Sequence, residues 1–237
     1  MNQTLLLVDG HSTAFRAYYG IKGKFTTRKG FHTNAIFGFF NILWRVMDDV
    51  KPSEMAICFD RHEPTFRHEK YEAYKGTRKP MDPELREQIP VLQEMLAEAG
   101  VSVLTKAGFE ADDLIGTLAK EGVRDGKEVM ILSGDRDLLQ LVEEHISVIL
   151  PKAAGTEVYT PELVKETYGV SPEGFLQMKG LMGDASDNIP GVPKIGEKTA
   201  MKIIQDFGTI EGWRHEISLQ AASPSHFNLT ITGFPKL

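Results

Sequence analysis

Cysteine is almost absent from the chain: Cys58 is the only one in 237 residues, so no internal disulfide framework and no thiolate-rich metal knuckle can form. Cys58 sits in an apolar, strand-like run, the ordinary place for a thiol acting as a small buried hydrophobe. Long apolar runs are also missing. The longest, residues 4–8 and 55–59, fall far short of the ~20 residues that a membrane-spanning helix needs. The first residues lack the basic-then-apolar pattern of a secretory signal, so the expectation is a cytoplasmic chain without membrane contact. A basic excess is missing as well, the formal net charge being −6, which argues against a uniformly basic nucleic-acid-binding surface. Of the seven histidines, His11, His32, His62 and His68 lie nearest the acidic segments. They lack metal-ligand spacing and read as surface or packing residues. Residues 218–237 contain no Asp or Glu and no helical or strand period, so 213–237 read as an atypical, disordered or truncated tail.

What is present suits a soluble α/β fold, with 41% hydrophobic and 25% charged residues and enough length for a sizeable core plus a small helical appendage. Residues 4–8, 55–59 and 128–133 read as buried parallel strands, with 101–104 and 147–150 as weaker candidates. Amphipathic segments at 35–49, 83–99 and 111–124 separate them. This alternation predicts a mostly parallel central sheet flanked by helices. Thr160 before Pro161 marks a helix start. After Pro172 the chain turns to short helices punctuated by Gly183, Pro190, Gly191, Pro193 and Gly196.

Acids stand where the strands stop. Leu5–Val8 runs into Asp9, the run ending at Phe59 into Asp60, and the run ending at Leu132 into Ser133-Gly134-Asp135-Arg136-Asp137. Ligands of open α/β sheets bind beyond the carboxyl ends of the strands, so these acids are expected at one edge. Glu110-Ala111-Asp112-Asp113 opens a helix; Glu110 and Asp113 share a face by their spacing, and acids there equally serve as helix caps. Asp184 and Asp187, in a loop, fit a turn when taken alone. Together nine carboxylates are available, and converging like charges need cations. A carboxylate set without His or Cys selects hard ions, two Mg²⁺ or Mn²⁺, over zinc.

Residues 61–79 carry six Lys or Arg against three Glu. Arg67, Lys70, Lys75, Arg78 and Lys79 can hold phosphates, while Phe66, Tyr71 and Tyr74 offer faces for bases; a solvated helix with its aromatics in the core is the alternative. In Gly191-Val192-Pro193-Lys194-Ile195-Gly196-Glu197-Lys198-Thr199-Ala200, a Gly-bearing turn followed by a helix start presents backbone N–H groups to phosphate, reinforced by Lys194, Lys198 and Lys202.

Several strings resemble the 5′ nuclease domain of bacterial DNA polymerases I, part of the flap endonuclease superfamily. They are Val8-Asp9-Gly10-His11, Phe59-Asp60, Thr65-Phe66-Arg67-His68, Tyr74-Lys75-Gly76-Thr77-Arg78, Glu110-Ala111-Asp112-Asp113, Ser133-Gly134-Asp135-Arg136-Asp137, the run from Lys179 to Pro190, and the hairpin from Gly191. The resemblance implies a PIN-like α/β nuclease domain over 1–170 with a helical arch at about 61–100, and a helix–hairpin–helix module over 171–212. It implies removal of RNA primers and 5′ flaps from branched or nicked DNA in bacterial replication and repair, by a monomer near the nucleoid and in company with a DNA polymerase. Asp60, Glu110, Asp112, Asp113 and Asp135 correspond to the inner metal shell, with Asp9, Asp137, Asp184 and Asp187 completing the set. Lys75 and Arg78 take the catalytic places in the arch, where Tyr71 also handles the 5′ strand, and the hairpin can hold K⁺ through backbone oxygens. Beyond about Gly208 the sequence departs from the charged helices expected there. A catalytically silent DNA-binding module is the alternative from another class, although all nine acids are in place. A Mg²⁺ phosphatase built on Asp135 and Asp137 leaves the arch and hairpin unexplained.

Overall fold

The computed structural model describes residues 3–23, 25–152 and 155–222. The chain divides between Pro161 and Glu162 into two units.

In the first unit, strand β1 (Thr4–Asp9) leads into helix α1 (Gly10–Gly20), and α2 (Asn34–Val50) returns to β2 (Glu54–Cys58). Short helices α3 (Phe66–Lys70), α4 (Pro83–Arg86) and α5 (Gln88–Glu98) precede β3 (Ser102–Leu104). Then come α6 (Ala111–Arg124), β4 (Glu128–Leu132), a 3-10 helix (Arg136–Leu141), β5 (Ile146–Lys152) and β6 (Gly155–Tyr159). The sheet order is β3-β2-β1-β4-β5-β6, parallel except for β6 against β5. The mostly parallel, helix-flanked sheet read from the sequence is thus the observed one. Strands covered on both faces need continuous apolar sequence, and Leu6, Leu7, Val8, Ile57, Ile131 and Leu132 are all fully buried. The chain winds outward from β1 to β3 and then crosses to β4 on the other side of β1, which makes the β1–β4 crevice the topological switch point. Gly10 is required there: a Cβ on it would meet the Phe59 ring at 2.5 Å.

Helix α2 buries Ile36, Phe39, Leu43 and Val46, an i, i+3, i+7 stripe that fixes it on the sheet. The expected single helix at 83–99 is two, broken at Glu87. Pro90 has no N–H to return to the carbonyl of Arg86, so the helical ladder is interrupted at that point. The break frees Gln88 for another role. Fully buried, it accepts from the N–H groups of Ala35 (2.9 Å) and Ile36 (3.3 Å) and donates to the Glu84 carbonyl (2.7 Å). It therefore caps the start of α2 from α5, serving amides that the first helical turn leaves unpaired.

The second unit holds α7 (Pro161–Tyr168), α8 (Pro172–Met182), the two-residue strands β7 (Gly183–Asp184) and β8 (Ile189–Pro190), α9 (Glu197–Phe207) and α10 (Ile210–Ala222). Ser171 caps α8 by accepting from Gly174 N–H at 3.1 Å. Gly183 has φ +71°, and a Cβ on it would lie 2.3 Å from the amide nitrogen of Gly191. Two backbones meet there with no room for a side chain. Helix α10 corrects the expectation for the tail, since residues 213–222 are helical; the rest of that stretch lies outside the described residues.

Gln88→Ala should strand the α2 amides and leave a cavity, lowering stability by about 2–4 kcal/mol in urea titration. A loss below about 0.5 kcal/mol would refute the capping role.

Candidate metal centre and nucleic-acid interface

Asp9 ends β1 and caps α1, accepting from Ser12 N–H at 3.0 Å and from the Ser133 hydroxyl at 2.8 Å. Burial pushes its carboxyl up to about 6 against those two hydrogen bonds, with Asp60 and Asp135 adding to the rise. Asp60, just past β2, accepts from Ala111 N–H at 2.7 Å, and its own N–H donates to His11 Nδ1 at 3.1 Å. Asp135 caps the 3-10 helix through Asp137 N–H (2.9 Å), while its own N–H donates to Ser133 Oγ (2.9 Å). Ser133 thereby ties the ends of β1 and β4 together.

Sequence reasoning gave Ser12, Ser133 and His11 no role at this edge. A small hydroxyl placed directly between an apolar strand and Gly-Asp was the available signal.

At the start of α6 the structure shows the capping reading directly. Asp113 accepts from Glu110 N–H at 2.9 Å, which is helix capping. It also receives the Arg67 guanidinium in a two-pronged contact of 2.7 and 2.8 Å. Burial raises its carboxyl, but Arg67 and that amide outweigh it and hold the group below its ordinary range. Glu110, buried, accepts from the Tyr74 hydroxyl (3.0 Å) and Lys75 Nζ (2.8 Å). Asp112 has no such relief. Burial comes first, then the charges of Asp9, Asp135, Asp60 and Glu110, and together they push it from 3.8 to about 8.

Among the described residues, no three His, Cys, Asp or Glu side chains close around a point as they stand. Arg67, Lys75 and backbone amides hold several of the acids instead. The donor chemistry nonetheless fits hard divalent cations, because Asp112 is crowded by four neighbouring carboxylates and a bound cation relieves that repulsion without protonating the acid.

Tyr74 corrects the sequence reading: it is buried with its hydroxyl on Glu110, so it offers no face to a base. Tyr71 is exposed, as are Lys70 and Arg78. Lys75 adopts φ +56°, an uncommon left-handed conformation for a non-glycine residue, while its ammonium is held by Glu110.

In the second unit, Asp184 accepts from Lys179 Nζ (2.7 Å), Ser186 N–H (2.7 Å), Ser186 Oγ (2.6 Å) and Asp187 N–H (3.2 Å). Burial opposes ionisation, but Lys179 and Ser186 win and hold the carboxyl well below its ordinary range. The turn reading thus holds for Asp184, and Asp187 follows in the same turn. In the hairpin, Val192 N–H donates to the Leu181 carbonyl at 2.8 Å, so Val192 has no amide to offer a phosphate. Gly196, by contrast, caps α9 without a side-chain acceptor, leaving the first-turn amides of Glu197, Lys198 and Thr199 for an anion. Lys194 stands beside them at φ +65°.

A sheet that gathers acids at its switch point, together with a helical unit whose α9 start lacks a side-chain cap, defines a carboxylate-centred α/β fold suited to phosphate chemistry. The chain belongs to the 5′-3′ exonuclease family: the N-terminal resolvase-like domain of that family matches residues 4–169, and its C-terminal SAM fold matches residues 170–229. DNA polymerase I of Bacillus subtilis (strain 168) is 48% identical over 209 residues, covering 87% of this chain and 24% of that protein. The chain thus spans about a quarter of the length of the curated relatives it matches. The structure of T5 5′-exonuclease with bound zinc superimposes with a TM-score of 0.73 at 24% identity, covering 91% of this chain and 79% of that one. A T5 flap endonuclease complex with DNA and metal ions gives 0.71 at 21% identity, covering 93% and 85%. At these identities the structural likeness speaks for the fold.

Both Asp9 and Asp112 are protonated to higher pH in the folded protein than in the unfolded chain. Their contribution to stability is therefore fully present below about pH 4 and is lost as pH rises through about 6 and then 8. In EDTA, Asp112→Asn should raise the thermal midpoint at pH 8 by roughly 4–8 °C, equivalent to about 2 kcal/mol, and leave it unchanged at pH 4. Equal midpoints at pH 8 would show that the charges are not crowded.

Proposed function

We propose that the chain is a divalent-metal-dependent, structure-specific 5′ nuclease, acting as a 5′-3′ exonuclease and 5′-flap endonuclease on branched or nicked DNA and RNA–DNA primers. The observation that carries this reading is Asp112, pushed to about 8 by burial and four neighbouring acids. Such repulsion suits a site whose working form includes cations. In the first unit, two Mg²⁺, or Mn²⁺ in their place, would be held by Asp60, Glu110, Asp112, Asp113 and Asp135, with Asp9 and Asp137 completing the set. Bound there, the ions supply a strong nucleophile from water at neutral pH and stabilise the departing oxygen.

The chain's own groups position the substrate. Lys75 and Arg67, neutralising Glu110 and Asp113, are freed for phosphate oxygens once cations take over those acids. Arg78 and Tyr71, both exposed, suit the phosphates and bases of an unpaired strand. Ser133 holds Asp9 and the loop of Asp135 in fixed relation, the kind of preorganisation on which rate depends. The start of α9, with Lys194 and Lys198, would grip the duplex backbone without reading its sequence, and K⁺ on backbone oxygens of the hairpin would add to that grip. The divalent metal ions and DNA named for the T5 structures support a divalent metal and DNA as the kinds of ligand here. A bacterial, cytoplasmic monomer working at the nucleoid beside a DNA polymerase, in primer removal and repair, completes the proposal.

A second reading, a DNA-binding module without catalysis, draws on the neutralisation of Glu110 and Asp113 by the chain's own cations. A 5′-flap gel assay separates the two. Cleavage should appear with Mg²⁺ and vanish in EDTA, and Asp135→Asn should cut single-turnover rates by at least about a hundredfold with little change in affinity. Persistent cleavage in excess EDTA rules out the metal reading, and an intact Asp135→Asn rate rules out that ligand. Lys194→Ala and Lys198→Ala should each weaken duplex binding and lower the salt slope by about 0.9. Unchanged slopes would remove the hairpin from the interface.

A further inference from the structure

A cavity of about 390 Å³ opens in the first unit between the segment that follows β2 and the α4–α5 junction. Its lining includes His11, Asp60, His62, Arg86, Ile89 and Gln93. The volume is near the low end for small-ligand pockets, enough for one nucleotide and too little for a duplex.

The polar groups around it divide clearly. Arg61 also lines it but is committed to Glu63, at 2.9 and 2.5 Å, so that pair offers little net charge. Asp60 accepts from Ala111 N–H. Because Asp60 N–H donates to His11 Nδ1, the neutral imidazole carries its proton on Nε2, which makes His11 a donor at the pocket wall. Arg86 is exposed, and among the described residues no carboxylate lies within ion-pair distance of its guanidinium. A guanidinium that meets no carboxylate among the described residues, lining the same pocket as an imidazole donor, matches the planar, two-pronged recognition of phosphate.

We propose that this pocket is a phosphate subsite, in which Arg86 binds a phosphate of the unpaired 5′ strand and His11 donates a second hydrogen bond. The proposal rests on the nuclease reading for its substrate, and it assigns a binding residue outside the acids, the arch lysines and the hairpin. The same chemistry has two sources: the terminal phosphomonoester of a short flap, or an internal diester of a longer one.

The test uses the full chain with fluorescein-labelled substrates carrying a one-nucleotide 5′ flap, 5′-phosphorylated or 5′-hydroxyl, and a long flap with each end. Affinity is read by anisotropy in EDTA and cleavage by single turnover in Mg²⁺, for wild type, Arg86→Ala and Arg86→Lys. Circular dichroism checks that the variants are folded. Arg86→Ala should weaken binding about five- to tenfold, with partial recovery in Arg86→Lys. A loss confined to the phosphorylated short flap supports the terminal source; a loss on long flaps whatever their end supports the internal one. Unchanged affinity and rate on every substrate overturns the subsite. Because the anisotropy arm needs no turnover, a chain that fails to cut but loses affinity with Arg86→Ala refutes the nuclease reading and supports the pocket.

Discussion

Mutual repulsion among carboxylates at the carboxyl edge of β1, β2 and β4 is the constraint on which the first unit depends. Five acids face one another there, and Asp112 bears the consequence most plainly. A fold that gathered these charges without opposing features would favour any rearrangement that spread them apart. Here the rearrangement is blocked. Asp9 is locked by two donors, Asp60 by an amide from the start of α6, and Asp135 by the amide of Asp137. Each is a backbone or small hydroxyl contact, short and stiff, whose geometry is set by the sheet itself.

Cations of the chain supply the remaining relief, and they come from the segment that follows β2. Arg67 and Lys75 reach Asp113 and Glu110 from there, so that segment is fastened to the acids it would serve. Its return path is fastened separately, through Gln88 to the start of α2 and through His32, which lies 3.4 and 3.2 Å from the carboxylates of Glu84 and Glu87. With these anchors of different chemistry in place, Tyr71 and Arg78 stay exposed.

The second unit solves a different problem, which is how to leave amides unpaired in a stable structure. Gly183 and Gly191 let two backbone segments touch, and Asp184 collects four donors to hold the turn between them. That turn sets up α9, whose first amides have no side-chain cap. Orphan amides at a helix start cost stability unless an anion or water serves them, so a built frame around such a start suits a helix that meets phosphate.

The sequence by itself determined the sheet, its strand-end acids and the helix from Ala111 to Arg124, because hydrophobic period and abrupt charge at a strand end are local signals. The basic segment and the Gly-bearing hairpin were legible for the same reason. Tertiary structure alone decided how the acids are used. That Asp113 is held by Arg67 while Asp112 stands in the repulsion depends on partners far along the chain, Arg67 lying 46 residues from Asp113 and Asp9 lying 103 from Asp112, and no local pattern encodes such distances. It also decided that Tyr74 faces Glu110 rather than a base, that Val192 spends its amide on Leu181, and that Arg86 meets no acid among the described residues. Each of these outcomes is a competition for one hydrogen bond or one charge, and only the packed chain fixes which groups are near enough to compete.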